Sequence, residues 1–249
     1  MLSLSFDPEV LEVQRKVVIE EFKQRYLNQP YGDIWLKLRP VAFEKHPYRW
    51  PTIGKEISHI EDATMEDVRS FFNAHYHPGN AILVIAGDIT EEKALELTKK
   101  WFGPIPGKDQ PVEEVEQEPV QTAARQLEIK ATVPADALYK VYHMPGRKGK
   151  AYHSADLLSD LLGRGKSSIL HQELVKKKPM FSSLSAYVTG SLDPGLFVIS
   201  GKLLPGVSIQ EGDAAVKAVL DSFFKGVDEK EVEKVKNQAE STTVFAEVD

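Results

Sequence analysis

Seven histidines and two adjacent glutamates are the side chains of this sequence that could bind a metal ion or transfer protons. No two of the histidines stand at the i, i+4 spacing, with a glutamate between them, that places two imidazoles and a general base on one helix face. His75 and His77 lie beside Pro78 at the end of a predicted helix, where side-chain directions diverge, so we predict a capping or packing role for both. The histidines are His46, His59, His75, His77, His143, His153 and His171.

The two glutamates, Glu20 and Glu21, follow an apolar stretch on a predicted helix. Glu21 stands four residues after Val17 and three after Val18, so it continues a stripe that we expect to face the core. A carboxylate on such a stripe is costly unless it is paired, hydrogen-bonded or bound to a metal. The residues alone favour a surface or salt-bridged role for Glu21 over metal binding.

The first part of the chain predicts helices around one buried strand. Asp7 is a good N-cap with Pro8 at the first helical position, which predicts a helix from about residue 8 to 27. Further helices are predicted near residues 34–43 and after the N-caps Thr64 and Thr90. The apolar run from Ala81 to Ala86, closed by Gly87-Asp88, predicts a strand buried on both faces.

Composition shifts between residues 107 and 121, where prolines and acidic residues replace apolar ones. This predicts an exposed acidic linker between a first domain, residues 1–106, and a second domain, residues 122–249. In the second domain we predict strands at 126–133 and 137–143, helices at 154–162 and 167–177, a hairpin at 181–203, and helices at 211–224 and from 228 onward.

A weak internal sequence repeat connects the two parts. The runs 82–87 and 196–201 are each followed by a predicted helix with an aromatic-glycine stop, Trp101-Phe102-Gly103 in one and Phe223-Phe224-Lys225-Gly226 in the other. We therefore expect an α+β protein of two related α/β sandwich domains, with mixed, mainly antiparallel sheets flanked by helices.

Composition excludes several classes of protein. A net charge of −6 argues against nucleic acid as a partner, because such proteins usually present a basic face. No apolar run reaches the roughly 18 residues of a membrane span. The absence of cysteine from all 249 residues excludes disulfides and thiol catalysis but leaves the compartment open.

The segment from Phe71 to Asp88, together with Trp101 to Pro106, resembles the insulinase/pitrilysin-type metallopeptidases, which include the mitochondrial processing peptidases. The resemblance extends from about residue 8 to 245. The catalytic motif of that family, His-x-x-Glu-His, is absent from this sequence. The resemblance therefore implies a fragment, with the first domain truncated on its N-terminal side and the second incomplete at its C-terminus.

Within this resemblance, the segment from Gln14 to Glu21 matches the family pattern Glu-Arg-x-Val-Val-x-x-Glu. The match implies that Glu21 is the third zinc ligand of the intact protein and Zn²⁺ its cofactor. The chain departs from the pattern at Gln14, where the family usually has a glutamate that supports the ligand helix. No catalytic residue is implied within this fragment.

The segment from Leu162 to Leu174 resembles the family's glycine-rich turn and following helix. Many members then carry an arginine and, seven residues later, a tyrosine that bind substrate, and the corresponding positions here are Val175 and Ser182. The resemblance thus implies a peptide or unfolded protein substrate and a partner half or subunit that carries the arginine-tyrosine pair.

Two functions follow from these patterns. The first is part of a zinc-dependent metalloendopeptidase, with the fragment itself inactive. The alternative is a non-catalytic scaffold or partner subunit of the same fold. A plain α+β binding domain without peptidase ancestry is a third reading of the same residues.

Overall fold

The computed structural model describes residues 4–108 and 114–246. The chain divides into two compact units, unit 1 from Met1 to Glu128 and unit 2 from Ile129 to Asp249. Unit 2 thus begins at Ile129, whereas composition places the start of the second domain at residue 122. Among the described residues, no helix combines the length and apolar composition that a membrane crossing requires.

Unit 1 is built from helices, three of which begin at the predicted caps Asp7, Thr64 and Thr90. Asp7 Oδ1 accepts a hydrogen bond from the Glu9 backbone N–H at 2.8 Å, and the Thr64 side chain accepts one from Asp67. The helices are α1 (Pro8–Phe22), continued by a π-helical turn (Lys23–Leu27), α2 (Ile34–Ala42), α3 (Ile57–Glu61), α4 (Met65–His75) and α5 (Glu91–Phe102), with 3₁₀ turns at Pro47–Arg49 and Pro78–Asn80.

Arg15 fixes α1 against the end of α3. Its guanidinium donates to the carbonyl oxygens of Ile60, of Glu61 at 2.6 Å and of Ala63 at 2.7 Å. The last carbonyls of a helix have no partner within the helix, so a cation placed there satisfies them. Only 13% of the Arg15 side chain is exposed. Arg15 therefore holds the helix that carries Glu20 and Glu21 in a defined position.

The strand expected from Ala81 to Ala86 is not formed. This segment has no regular secondary structure, and 94% of Ile82 and 81% of Val84 is exposed. A strand requires a neighbour to pair with, and the described residues of unit 1 form no strand. The prediction of a buried strand is therefore wrong for the described unit, because hydrophobicity alone does not reveal where a pairing partner lies.

The predicted linker is only partly described, because residues 109–113 lie outside the described residues. From residue 114 to 121 the chain is irregular and mostly exposed, as predicted. Glu118 differs: its carboxylate accepts hydrogen bonds from the backbone N–H groups of residues 44–46 at 2.8, 2.9 and 3.0 Å. This carboxylate thus attaches the segment to unit 1. The linker boundaries themselves stay a prediction.

Unit 2 contains a three-stranded antiparallel sheet in the order β1-β3-β2. The predicted strand at 137–143 and the predicted hairpin at 181–203 are both present, whereas residues 126–133 form no strand. Helices and an antiparallel sheet together confirm the α+β class. The elements are β1 (Ala137–Met144), α6 (Lys150–Gly163), α7 (Ile169–His171), continued by a π-helical turn (Gln172–Lys177), β2 (Phe181–Val188), β3 (Gly195–Leu203), α8 (Ile209–Phe223) and α9 (Glu229–Ala246).

The core of unit 2 lies between the sheet and its helices. Ala186 of β2 is opposite Ile199 of β3, and both side chains are buried in one apolar cluster with Leu162 of α6, Leu170 of α7 and Val216 of α8. Alternate residues of a strand point to the same face, so the register of the hairpin decides which side chains enter this cluster.

Gly163, at the end of α6, allows that helix to approach β2. A Cβ at this position would lie 1.8 Å from the Ala186 backbone nitrogen and 2.6 Å from its Cβ. Backbone atoms of a paired strand cannot yield as the end of a side chain can. Close contact between α6 and β2 therefore requires glycine at residue 163.

We predict that Gly163→Ala destabilises unit 2 by about 1–3 kcal/mol, the usual cost of overpacking a core. Gly107→Ala is the control, because a Cβ at this exposed residue would meet no atom within 4 Å, and it should change stability by less than about 0.5 kcal/mol. Urea denaturation of the two variants measures this difference. Equal stability of Gly163→Ala and wild type would contradict the described packing of α6 on β2.

Helix α8 begins with a reciprocal capping arrangement. The Ser208 side chain accepts from the Glu211 backbone N–H at 3.2 Å, and the Glu211 carboxylate accepts from the Ser208 hydroxyl and backbone N–H at 2.7 and 2.9 Å. These hydrogen bonds favour the ionised carboxylate and lower the pKa of Glu211. A lowered pKa in the folded state stabilises the fold above the unfolded-state pKa, and that contribution is lost as pH falls through the folded-state pKa.

Glu211→Gln should therefore destabilise unit 2 at neutral pH, and its difference from wild type should shrink as pH falls below about 4.3, the ordinary glutamate value. Glu240→Gln removes the same charge from an exposed residue of α9 whose side chain makes no hydrogen bond or ion pair within the described part of the chain, and should show a smaller change. Chemical denaturation at several pH values compares the two. A pH-independent loss in Glu211→Gln would show that the carboxylate charge does not contribute to the cap.

Candidate functional site

Glu21 lies on an exposed face of α1. Its Oε1 is 3.0 Å from Nη2 of Arg25, one turn further along the chain, and 46% of its side chain is exposed. The expectation that Glu21 continues a core-facing stripe is wrong for this unit, because Val17 is 55% exposed while Phe22 is 3% exposed. Helix α1 packs through the face of Phe22 and Arg15, and the stripe that ends at Glu21 is left at the surface.

Glu20 forms a similar surface pair with a different partner. Its Oε1 is 2.8 Å from Nζ of Lys23, and 58% of its side chain is exposed. Exposed ion pairs of this kind contribute only about 0–1 kcal/mol. Each carboxylate is therefore able to exchange its present partner for another cation at small cost.

To hold a metal ion by itself, this chain would need several ligand side chains close together in space. Among residues 4–108 and 114–246, no three histidine, aspartate or glutamate side chains are grouped closely enough to bind a metal ion. A hydrolytic zinc site requires three protein ligands with a fourth position open to water. The described residues do not fit such a site, and Glu21 is at most one of its ligands.

The structure confirms the packing role predicted for His75 and His77. The His75 ring packs on Phe71, with ring centroids 4.5 Å apart, and His77 is only 3% exposed. They lie at the end of α4 and just beyond it, where Pro78 begins a 3₁₀ turn.

The glycine-rich turn joins α6 to α7. Gly165 has φ of +73°, a conformation that favours glycine, and its carbonyl oxygen accepts from the Ser168 hydroxyl at 2.8 Å. The turn therefore presents Arg164, Lys166 and Ser167 at the surface while Ser168 is buried.

Val175 and Ser182, which the family resemblance aligns with an arginine and a tyrosine, have structural roles here. Val175 packs against the apolar cluster of unit 2. Ser182 lies at an irregularity in the pairing of β2 with β3, and its hydroxyl donates to the Lys202 carbonyl oxygen at 3.2 Å. Neither side chain reproduces the charged or aromatic group of the family pair.

Sequence reasoning missed a groove of about 960 Å³ between the glycine-rich turn and α9. The available signal was the i, i+4 spacing of Lys230 and Lys234, which places two ammonium groups on one helix face. The residues that line this α9 groove are Arg164, Gly165, Lys166, Ser167, Lys230, Glu233, Lys234, Asn237, Gln238, Ser241 and Thr242.

The chain is similar over nearly its whole length to known zinc proteases. It is 32% identical over 240 residues to "Zinc protease PqqE" of Helicobacter pylori, a match that covers 95% of this chain and 54% of that protein. This chain thus spans about half the length of that relative. The 24% identity over 106 residues to the mitochondrial-processing peptidase subunit beta of Caenorhabditis elegans covers 42% of this chain and 22% of that protein.

Solved structures show the same fold. The crystal structure of a protease from Helicobacter pylori superposes with a TM-score of 0.87 at 30% identity, covering 98% of this chain and 60% of that one. The model of the "Peptidase M16 inactive domain" family matches residues 62–239. These matches confirm the predicted insulinase/pitrilysin-type resemblance. The chain belongs to the M16 peptidase family, and residues 62–239 correspond to the domain that this family's model describes as inactive.

Proposed function

We propose that this chain is part of a zinc-dependent metalloendopeptidase that hydrolyses peptides or unfolded protein segments, and that the chain alone is not catalytic. The observation that carries this proposal is the 32% identity to a protein named a zinc protease, which extends over 95% of the chain. The described residues supply no three-ligand metal site. Activity would therefore require ligands from outside the described residues.

We propose Glu21 as the ligand that this chain contributes, with Zn²⁺ bound in the longer protein. Support comes from its position on helix α1, which Arg15 ties to the end of α3 by hydrogen bonds to the Glu61 and Ala63 carbonyl oxygens. Its present partner, Arg25, is an exposed cation that can be displaced at small cost. Once bound, zinc would supply Lewis-acid polarisation of a peptide carbonyl and a water of lowered pKa.

The proposed partner is a second half or subunit that carries an arginine-tyrosine pair for substrate binding. Its support in this chain is the replacement of that pair by Val175 and Ser182. Val175 packs against the core, and the Ser182 hydroxyl donates to a backbone carbonyl oxygen. Neither side chain can therefore bind a substrate in the way proposed for an arginine and a tyrosine.

A non-catalytic scaffold or partner subunit of the same fold is the second candidate function. The observation that favours it is the description of the matched domain as inactive. In that case the exposed Glu21 would be an ordinary surface residue, paired only with Arg25. The two functions therefore differ in what a substitution at Glu21 does.

We predict that Glu21→Gln, introduced into the longer protein that this chain belongs to, lowers zinc content and peptidase activity together without unfolding it. Glutamine keeps the size of the side chain and removes the charge that a metal ion requires. Glu20→Gln is the matched control, since its side chain is similarly exposed and also forms a surface ion pair. Metal analysis, a peptide-cleavage assay and thermal melting measure the three properties.

The control decides between neighbouring residues because adjacent helical positions are about 100° apart. Loss of activity in Glu20→Gln with Glu21→Gln unaffected would move the ligand by one residue. Unchanged zinc content and activity in both variants would favour the scaffold function.

A further inference from the structure

We propose that the α9 groove of unit 2 is a binding site for an acidic peptide segment. This goes beyond the proposed peptidase function and does not depend on zinc. The groove joins two elements that are distant in sequence, the glycine-rich turn at residues 164–167 and the exposed face of α9.

The charge of the groove is opposite to that of the whole chain. Four cations and one carboxylate, Glu233, line the groove, although the chain as a whole has a net charge of −6. A concentrated patch of one sign in a concave surface attracts ligands of the opposite sign. The groove therefore selects an anionic ligand.

Two of the four cations are available for such a ligand. The ammonium groups of Lys166 and Lys230 form no ion pair or hydrogen bond with the described part of the chain. The other two are partly neutralised: Arg164 pairs with Asp160 at 2.8 Å, and Lys234 pairs with Glu231. Lys234 also donates to the Ser167 carbonyl oxygen at 3.2 Å, which holds α9 beside the turn.

The length of the groove favours a peptide over a single small anion. From Lys230 to Ser241 the lining residues of α9 follow the helix for roughly 16 Å, at 1.5 Å per residue. An extended peptide of about five residues covers that distance.

Uncharged polar groups continue the lining beyond the lysines. Asn237, Gln238 and Ser241 carry side-chain amide and hydroxyl groups that can donate to and accept from a peptide backbone. The lysines can bind the carboxylate side chains of a peptide, and the amide and hydroxyl groups can bind its backbone. The lining therefore suits an acidic peptide.

The test is fluorescence anisotropy of a fluorescein-labelled hexaglutamate peptide titrated with the full chain at low and high salt. We expect saturable binding that weakens with salt. A hexaglutamine peptide of the same length should bind about tenfold more weakly, because it has no carboxylates to form surface charge contacts with the lysines.

Two double variants separate the groove from general electrostatics. Lys166→Gln with Lys230→Gln should weaken hexaglutamate binding about tenfold, by the loss of two such contacts. The matched control, Lys176→Gln with Lys178→Gln, removes the same charge at exposed residues outside the groove and should leave affinity within about twofold. Ser241→Glu places a repelling charge at an exposed position in the lining and should weaken binding while thermal melting stays unchanged.

Three results would overturn the proposal. Equal loss in the two double variants would show binding by net charge alone. Equal affinity for hexaglutamine would remove the acidic selectivity. Displacement of the peptide by inorganic phosphate at concentrations no higher than those of competing unlabelled hexaglutamate would show a simple anion site in place of a peptide site.

Discussion

A hydrolytic zinc ion requires three protein ligands around it and one position left open, and the function proposed for the chain depends on this requirement. Unit 1 provides a helix that is fixed by Arg15 and presents the Glu21 carboxylate at the surface. The described residues contain no group of three side chains that could complete the site. Membership of the M16 peptidase family and the absence of a complete site are compatible if the remaining ligands come from elsewhere.

Unit 2 is organised around a different constraint, the close approach of α6 to β2 at Gly163. That approach buries the apolar cluster and leads directly into the glycine-rich turn, whose cations face α9. The packing of the core thus determines where the basic groove lies. Unit 1 contrasts with this, because its most apolar segment, Ala81 to Ala86, is exposed.

Local signals predicted much of this fold from sequence. Asp7, Thr64 and Thr90 are helix caps whose side chains bond within three residues, so short-range chemistry predicts them. The two strands of the unit 2 hairpin follow each other in the sequence and pair with each other. The residue pattern of this one segment was therefore sufficient to predict the hairpin. Two predictions were wrong, the strand at residues 81–86 and the core-facing position of Glu21. Both depend on which residues lie beside the segment in space. The α9 groove was missed for the same reason, since its two sides are more than sixty residues apart.

Calorimetric titration of the chain with Zn²⁺, combined with a peptide-cleavage assay on the same sample, tests the central claim most directly. A single carboxylate in place of three ligands predicts no stoichiometric sub-micromolar binding and no cleavage that a chelator abolishes. Stoichiometric sub-micromolar binding, or chelator-sensitive turnover by the chain alone, would contradict the claim that its metal site is incomplete.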